Sequence, residues 1–117
     1  MPGREPEELL PLSTSVFHIL LALADAERHG YGIIKEVEGR TEGRVRLGAG
    51  TLYGSVKRML AEGLIVESDE RRDPEADDER RRYYRLTDFG RRVVSAEARR
   101  LEQLVSLARE KRLLSRA

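Results

Sequence analysis

The chain predicts a mostly α fold with one small β-hairpin: three helices, two short strands joined by a charged loop, and a long last helix. Three observations carry this. Apolar residues recur at intervals of three and four in four separate stretches, which is the helical period. Two short segments, 64–68 and 82–86, alternate in character and hold β-branched or aromatic residues, which is the strand period. Between them every residue of 69–81 except Pro74 and Ala76 is charged, so that stretch reads as a solvated loop.

Residues 1–8 are rich in Pro and Glu and read as a disordered leader. Pro11 fixes the approach to the first helix, and Ser13 is its expected N-cap. Val16, Phe17, Ile19, Leu20, Leu21 and Leu23 make that helix apolar nearly all round, to about Ala26. Such a pattern implies burial on more than one side. One side faces this domain's core; the other is expected to meet a second subunit or a ligand cavity. His29-Gly30 ends the connection and Tyr31-Gly32 opens helix two. Ile33, Ile34 and Val37 form its inner face, with Lys35, Glu36 and Glu38 outside. A polar loop follows over 39–43. Val45 and Leu47 then either pair as a short strand or anchor the turn.

Helix three, residues 50–62, is the stretch around which the rest is arranged. Gly48 and Gly50 break the chain before it, and Thr51 is an early helix residue or cap. Gly63 stands where a helix stops on a left-handed residue. Leu52, Val56, Met59 and Leu60 share one face. Gly54, Lys57 and Arg58 fall opposite it, and Tyr53 lies on the flank. The outer face is therefore positive and has little bulk near its N-terminal end. Small residues let a helix sit deep in a groove, and cations reach phosphates; a helix of this length fits the major groove of B-form DNA. An ordinary amphipathic helix with a solvated outer face remains the alternative at this point.

After the hairpin, Thr87 is the expected cap of the last helix, with Asp88 in its first turn. Phe89, Val93, Val94, Ala98, Leu101, Leu104, Val105 and Ala108 make a stripe ending near Leu113-Leu114. Val94, Leu101 and Ala108 are spaced by seven, which suits a helix packed along another helix. The stripe is longer than a small domain can cover. A dimer interface is therefore expected at Val94, Leu101, Leu104, Val105 and Ala108, with Phe17 and Leu21 contributing from helix one.

At 117 residues the chain is one globular unit. The organisation expected is a leader at 1–8, a DNA-binding domain at 9–88 and a dimerisation helix at 89–117. Net charge is +1, so attraction to a polyanion has to be local. The absence of Cys excludes disulfides and thiolate metal sites. His18 and His29 are too few and too far apart for a metal site, and no cofactor is expected. No nucleophile–base order or paired catalytic carboxylates stands out, and Gly48-Ala49-Gly50 lacks the Lys-Ser/Thr of a phosphate-binding loop. An enzyme is not expected. No apolar run approaches the ~18 residues of a membrane span, and a soluble, cytoplasmic protein is expected.

Three helices followed by a strand–loop–strand unit is the winged helix-turn-helix order. On that pattern three segments resemble the PadR-like transcriptional regulators. They are His29-Gly30-Tyr31-Gly32-Ile33; Gly50-Thr51-Leu52-Tyr53 with Leu60 and Glu62-Gly63-Leu64-Ile65; and Arg82-Tyr83-Tyr84-Arg85-Leu86-Thr87 with Gly90. The resemblance implies a dimeric repressor that places helix three and the wing on operator DNA, in the short subfamily with one C-terminal helix. It implies DNA contacts at Tyr31, Thr51, Tyr53 and Lys57. The outward positions Lys35, Gly50, Gly54 and Arg58, and Arg72, Arg80 and Arg81 at the wing base, complete the candidate surface. The wing departs from the family: its tip, Asp73-Pro74-Glu75-Ala76-Asp77-Asp78-Glu79, would repel phosphate. Expected partners are double-stranded DNA and a second copy of the chain. Two other readings stay open: a winged-helix protein–protein adaptor, and a sensor of a small-molecule effector in an apolar gap at the dimer interface. With no Trp, the latter has little to stack on a planar ligand.

Overall fold

The computed structural model describes residues 4–68 and 82–115. A 3-10 turn, Pro6–Leu9, comes first. It is followed by α1 (Thr14–Ala22), β1 (Arg28–His29), α2 (Gly30–Arg40), α3 (Ala49–Ala61), β2 (Ile65–Ser68), β3 (Tyr83–Leu86) and α4 (Asp88–Glu110). The strands form one antiparallel sheet in the order β1-β3-β2, with Ile65 opposite Leu86 and His29 opposite Tyr83.

Local chemistry sets the element ends. Ser13 Oγ accepts the Val16 N–H at α1, and Thr87 Oγ1 accepts the Gly90 N–H at α4, each satisfying an otherwise orphaned donor. Gly63 has φ +77°, the left-handed residue that ends α3. Gly90 is required by close approach: a Cβ there would collide with the carbonyl of Leu64, where α4 crosses the start of β2. The core joins Ile19, Leu20 and Leu23 of α1 and its C-cap to Ile33 and Val37 of α2. Leu52, Val56 and Met59 of α3, Ile65 and Leu86 of the sheet, and Val93 of α4 complete it.

The structure corrects several expectations. The leader is not without structure over 4–8. Pro6 is buried, Glu5 and Glu8 form a capping box, and the turn packs on α4. Pro and Glu composition reads as disorder only while no apolar surface receives the proline ring. The first helix stops at Ala22 rather than near Ala26: the Leu23 N–H is shared between the carbonyls of Ile19 and Leu20, and the Ala24 N–H closes a tighter turn onto Leu21. The sheet gains a third strand: 28–29 pairs with β3. Of the two readings of Val45 and Leu47, the turn anchor is the one found: they form no strand, Leu47 is buried and Val45 packs on the core. Helix two begins one residue early, at Gly30, with His29 as its N-cap: His29 Nδ1 accepts the Gly32 N–H at 2.9 Å.

Candidate nucleic-acid interface

The N-cap of α3 is Gly48, which offers no side-chain acceptor. Leu52, Val56 and Met59 are buried, while Gly50, Thr51, Gly54, Lys57 and Arg58 are exposed. A Cβ at Gly48, Gly50 or Gly54 would meet nothing within 4 Å, so the backbone of α3 is open on its outer side. Leu60 does not share the inner face and is 38% exposed. At about 100° per residue it lies about 80° round from Leu52, at the rim of the apolar stripe. Among the described residues, neither Lys57 nor Arg58 is in an ion pair; the pairs found engage Arg28, Arg40, Arg82, Arg85 and Arg100.

The two candidate tyrosines separate. Tyr31 is 58% exposed on α2, with the Lys35 ammonium 5.4 Å from its ring centroid and the His29 ring stacked at 6.4 Å. The ring thus has a cation and an imidazole for neighbours and is presented to solvent. Tyr53 is half-buried, its hydroxyl lying against Gly30 where any side chain would stand, so it packs α3 on the start of α2. Of the β3 pair, Tyr84 is core and Tyr83 meets the edge of His29 at 5.1 Å between centroids. Arg72, Arg80 and Arg81 lie outside the described residues.

The candidate dimer residues divide as well. Val94 is only 6% exposed and belongs to its own chain's core, so it has little surface to give a partner. Phe17, Leu21, Leu101 and Ala108 are half-buried. Leu104 is 51% exposed and Val105 is exposed beside it. Leu107, Leu113 and Leu114 add to this apolar end. Leu107 lies outside the stripe read from the sequence, although it follows Leu104 by three residues. A seven-residue spacing shows that a helix face is apolar, not which protein covers it.

The acid–base groups displaced from their ordinary range lie away from α3. Burial, with the positive charge of Arg40 adding to it, holds the His18 imidazole below its usual range. The hydrogen bonds from Arg100, together with the N–H of Leu12, hold Glu97 below the usual carboxylate range against the opposing effect of burial. Among the described residues no His, Cys, Asp or Glu cluster could hold a metal ion, and no helix is long and apolar enough to cross a membrane.

Three helices with α3 open on its outer side, backed by a small antiparallel sheet, define a winged helix-turn-helix protein. The chain belongs to the PadR-like family of transcriptional regulators, whose pattern it matches over residues 19–96. It is 38% identical over 87 residues to the transcriptional regulator Rv3488 of Mycobacterium tuberculosis, covering 74% of this chain and 75% of that one. Its fold is similar to that of a PadR family transcription regulator from Clostridium difficile, with TM-score 0.68 and 23% identity over 84% of this chain and 97% of the other. It is also similar to Bacillus subtilis PadR solved in complex with operator DNA, with TM-score 0.61 and 20% identity over 72% of this chain and 46% of the other.

Proposed function

We propose that this regulator is a homodimeric repressor that binds operator DNA with one α3 in each of two adjacent major grooves. The carrying observation is the outer face of α3, where three small residues, Gly50, Thr51 and Gly54, lie beside Lys57 and Arg58, cations with no carboxylate partner among the described residues. A helix so stripped of side chains approaches base edges closely, while the cations neutralise phosphates on the rims. Tyr31 and Lys35 extend the contact onto the backbone from α2. Operator DNA bound to Bacillus subtilis PadR supports the reading.

The second copy is supported by the far end of α4, where Leu104, Val105, Leu107, Leu113 and Leu114 are each exposed, Val105 and Leu107 flanking Leu104 on either side round the helix. Burying such side chains stabilises by about 1.5–3 kcal/mol each. That sum is comparable to the roughly 4–15 kcal/mol that association costs, so Phe17 and Leu21 of α1 are assigned to the same interface. Half-sites then lie about one helical turn apart, ~34–36 Å.

The test is binding to fragments flanking the protein's own gene across a salt series. A dimer neutralising ~6 phosphates gives a slope of log affinity on log salt near −5. A slope near zero, with capture of a basic protein instead, would establish the adaptor reading in its place.

A further inference from the structure

We infer that Arg44 and Arg46, on the turn between α2 and α3, are additional phosphate anchors for duplex DNA. The inference rests on α3 being the groove helix and adds a contact on the rim beside its N-terminal end. Four observations carry it.

Burial alternates along 44–47. Arg44 and Arg46 are exposed, Val45 packs on the core and Leu47 is buried. The apolar pair faces inward and both guanidinium groups face solvent.

The turn is held in that register. Thr41 Oγ1 donates to the carbonyl of Val37 at 2.8 Å and accepts the N–H of Val45 at 3.1 Å. Gly43 stands at φ +78°, a conformation side chains disfavour. Arg46 Nε donates to the Gly43 carbonyl at 3.2 Å, and an Arg46 terminal nitrogen lies 3.3 Å from where a Cβ on residue 43 would be. The guanidinium therefore rests across the glycine, fixed at one nitrogen.

Neither cation is neutralised by a described residue. Glu38 and Glu42 line the same shallow hollow as Arg46, but no carboxylate oxygen of the described residues comes within 4.0 Å of Arg44 or Arg46. Arg28, Arg40, Arg82, Arg85 and Arg100 each have such a partner. A fixed guanidinium fork without a carboxylate matches a phosphate's paired oxygens.

Position completes the case. Arg46 shares its hollow with Lys35 of the proposed α2 contact and stands two residues before Gly48, the N-cap of α3. Lys57 and Arg58 lie on the second half of α3. The turn thus supplies cations at the end of the recognition helix where they do not reach.

The experiment is anisotropy titration of the full chain with a labelled operator fragment and with an unrelated duplex, each across a salt series. The Arg44→Gln/Arg46→Gln variant should flatten the slope of log affinity on log salt by about 0.9 for each phosphate it no longer neutralises. The weakening should be equal on both duplexes, because phosphate contacts carry no sequence information. The Arg44→Lys/Arg46→Lys variant should restore most of the slope. Arg44→Gln alone disturbs no hydrogen bond of the turn and should give a partial flattening even where Arg46→Gln loosens the turn. The inference is overturned alone if the parent shows a steep slope and the double Gln variant, melting like the parent, keeps it. It is also overturned if Lys restores nothing. A parent with no slope overturns both this inference and the reading beneath it.

Discussion

Glu97, in the middle of α4 and 2% exposed, accepts the backbone N–H of Leu12 at 2.9 Å across 85 positions of sequence. The same carboxylate takes two hydrogen bonds from Arg100, at 2.6 and 3.1 Å. One side chain thereby ties the segment leading into α1 to the long helix. Arg4 makes a second tie: it donates to the carbonyl of Glu62 at the end of α3 and lies over the Phe89 ring.

Glu97→Gln should therefore destabilise the fold. The variant keeps an acceptor for Leu12 but loses the charge that Arg100 faces. The loss is smaller than for a fully buried ion pair, because the Arg100 guanidinium reaches solvent while the carboxylate does not. The pH dependence has a definite sign. The folded carboxyl titrates below its ordinary range, so its contribution is present above the unfolded value and is lost as pH falls through the lowered folded value. Urea unfolding of parent and variant should converge in strongly acidic buffer and diverge at neutral pH. A constant gap across that range would refute the assignment.

The periodic parts of this fold were legible because burial and period coincide. Leu52, Val56 and Met59 point inward as their spacing demands, and Ser13 and Thr87 cap the helices they precede. The misses also have physical reasons. A two-residue strand such as Arg28–His29 carries no period, and its partner in β3 is more than fifty residues away. Glu97 reads as a solvated charge until Arg100 and Leu12 are brought to it. The open face of α3 was visible because it is made of what is absent, bulk and carboxylates. The turn arginines were not, since Arg-Val-Arg-Leu shows its two sides only once Val45 and Leu47 are packed.

Gly90→Ala should cost stability through overpacking. The added methyl would overlap the carbonyl of Leu64, and backbone cannot rotate away as a side chain can. Overpacking of this kind costs about 1–3 kcal/mol, and the upper end is expected here. The urea midpoint should fall with an unchanged m-value.

Gly54→Ala should do the opposite to stability and still harm binding. Residue 54 is an exposed helix interior position with open space around it, so alanine should add up to about 1 kcal/mol of stability. If α3 rests deep in a groove, the methyl intrudes between helix and base edges. A higher melting temperature with weaker operator affinity is the expected pair of results. Higher stability with unchanged affinity would place this face away from the bases.

Leu104→Asp tests the proposed stem. The side chain is half exposed on α4 and lies outside the core cluster of the described residues, so the variant should fold like the parent. Two carboxylates would then be brought into an apolar seam between copies, where each lacks a cation and loses its hydration. Sedimentation should show monomers at concentrations where the parent is dimeric. Operator affinity should fall steeply, because two linked recognition helices bind with an effective concentration that separate ones lack. Binding to a single half-site should be nearly unaffected, which separates loss of pairing from damage to α3. A variant that sediments as a dimer and binds the full operator normally would remove the far half of α4 from the interface.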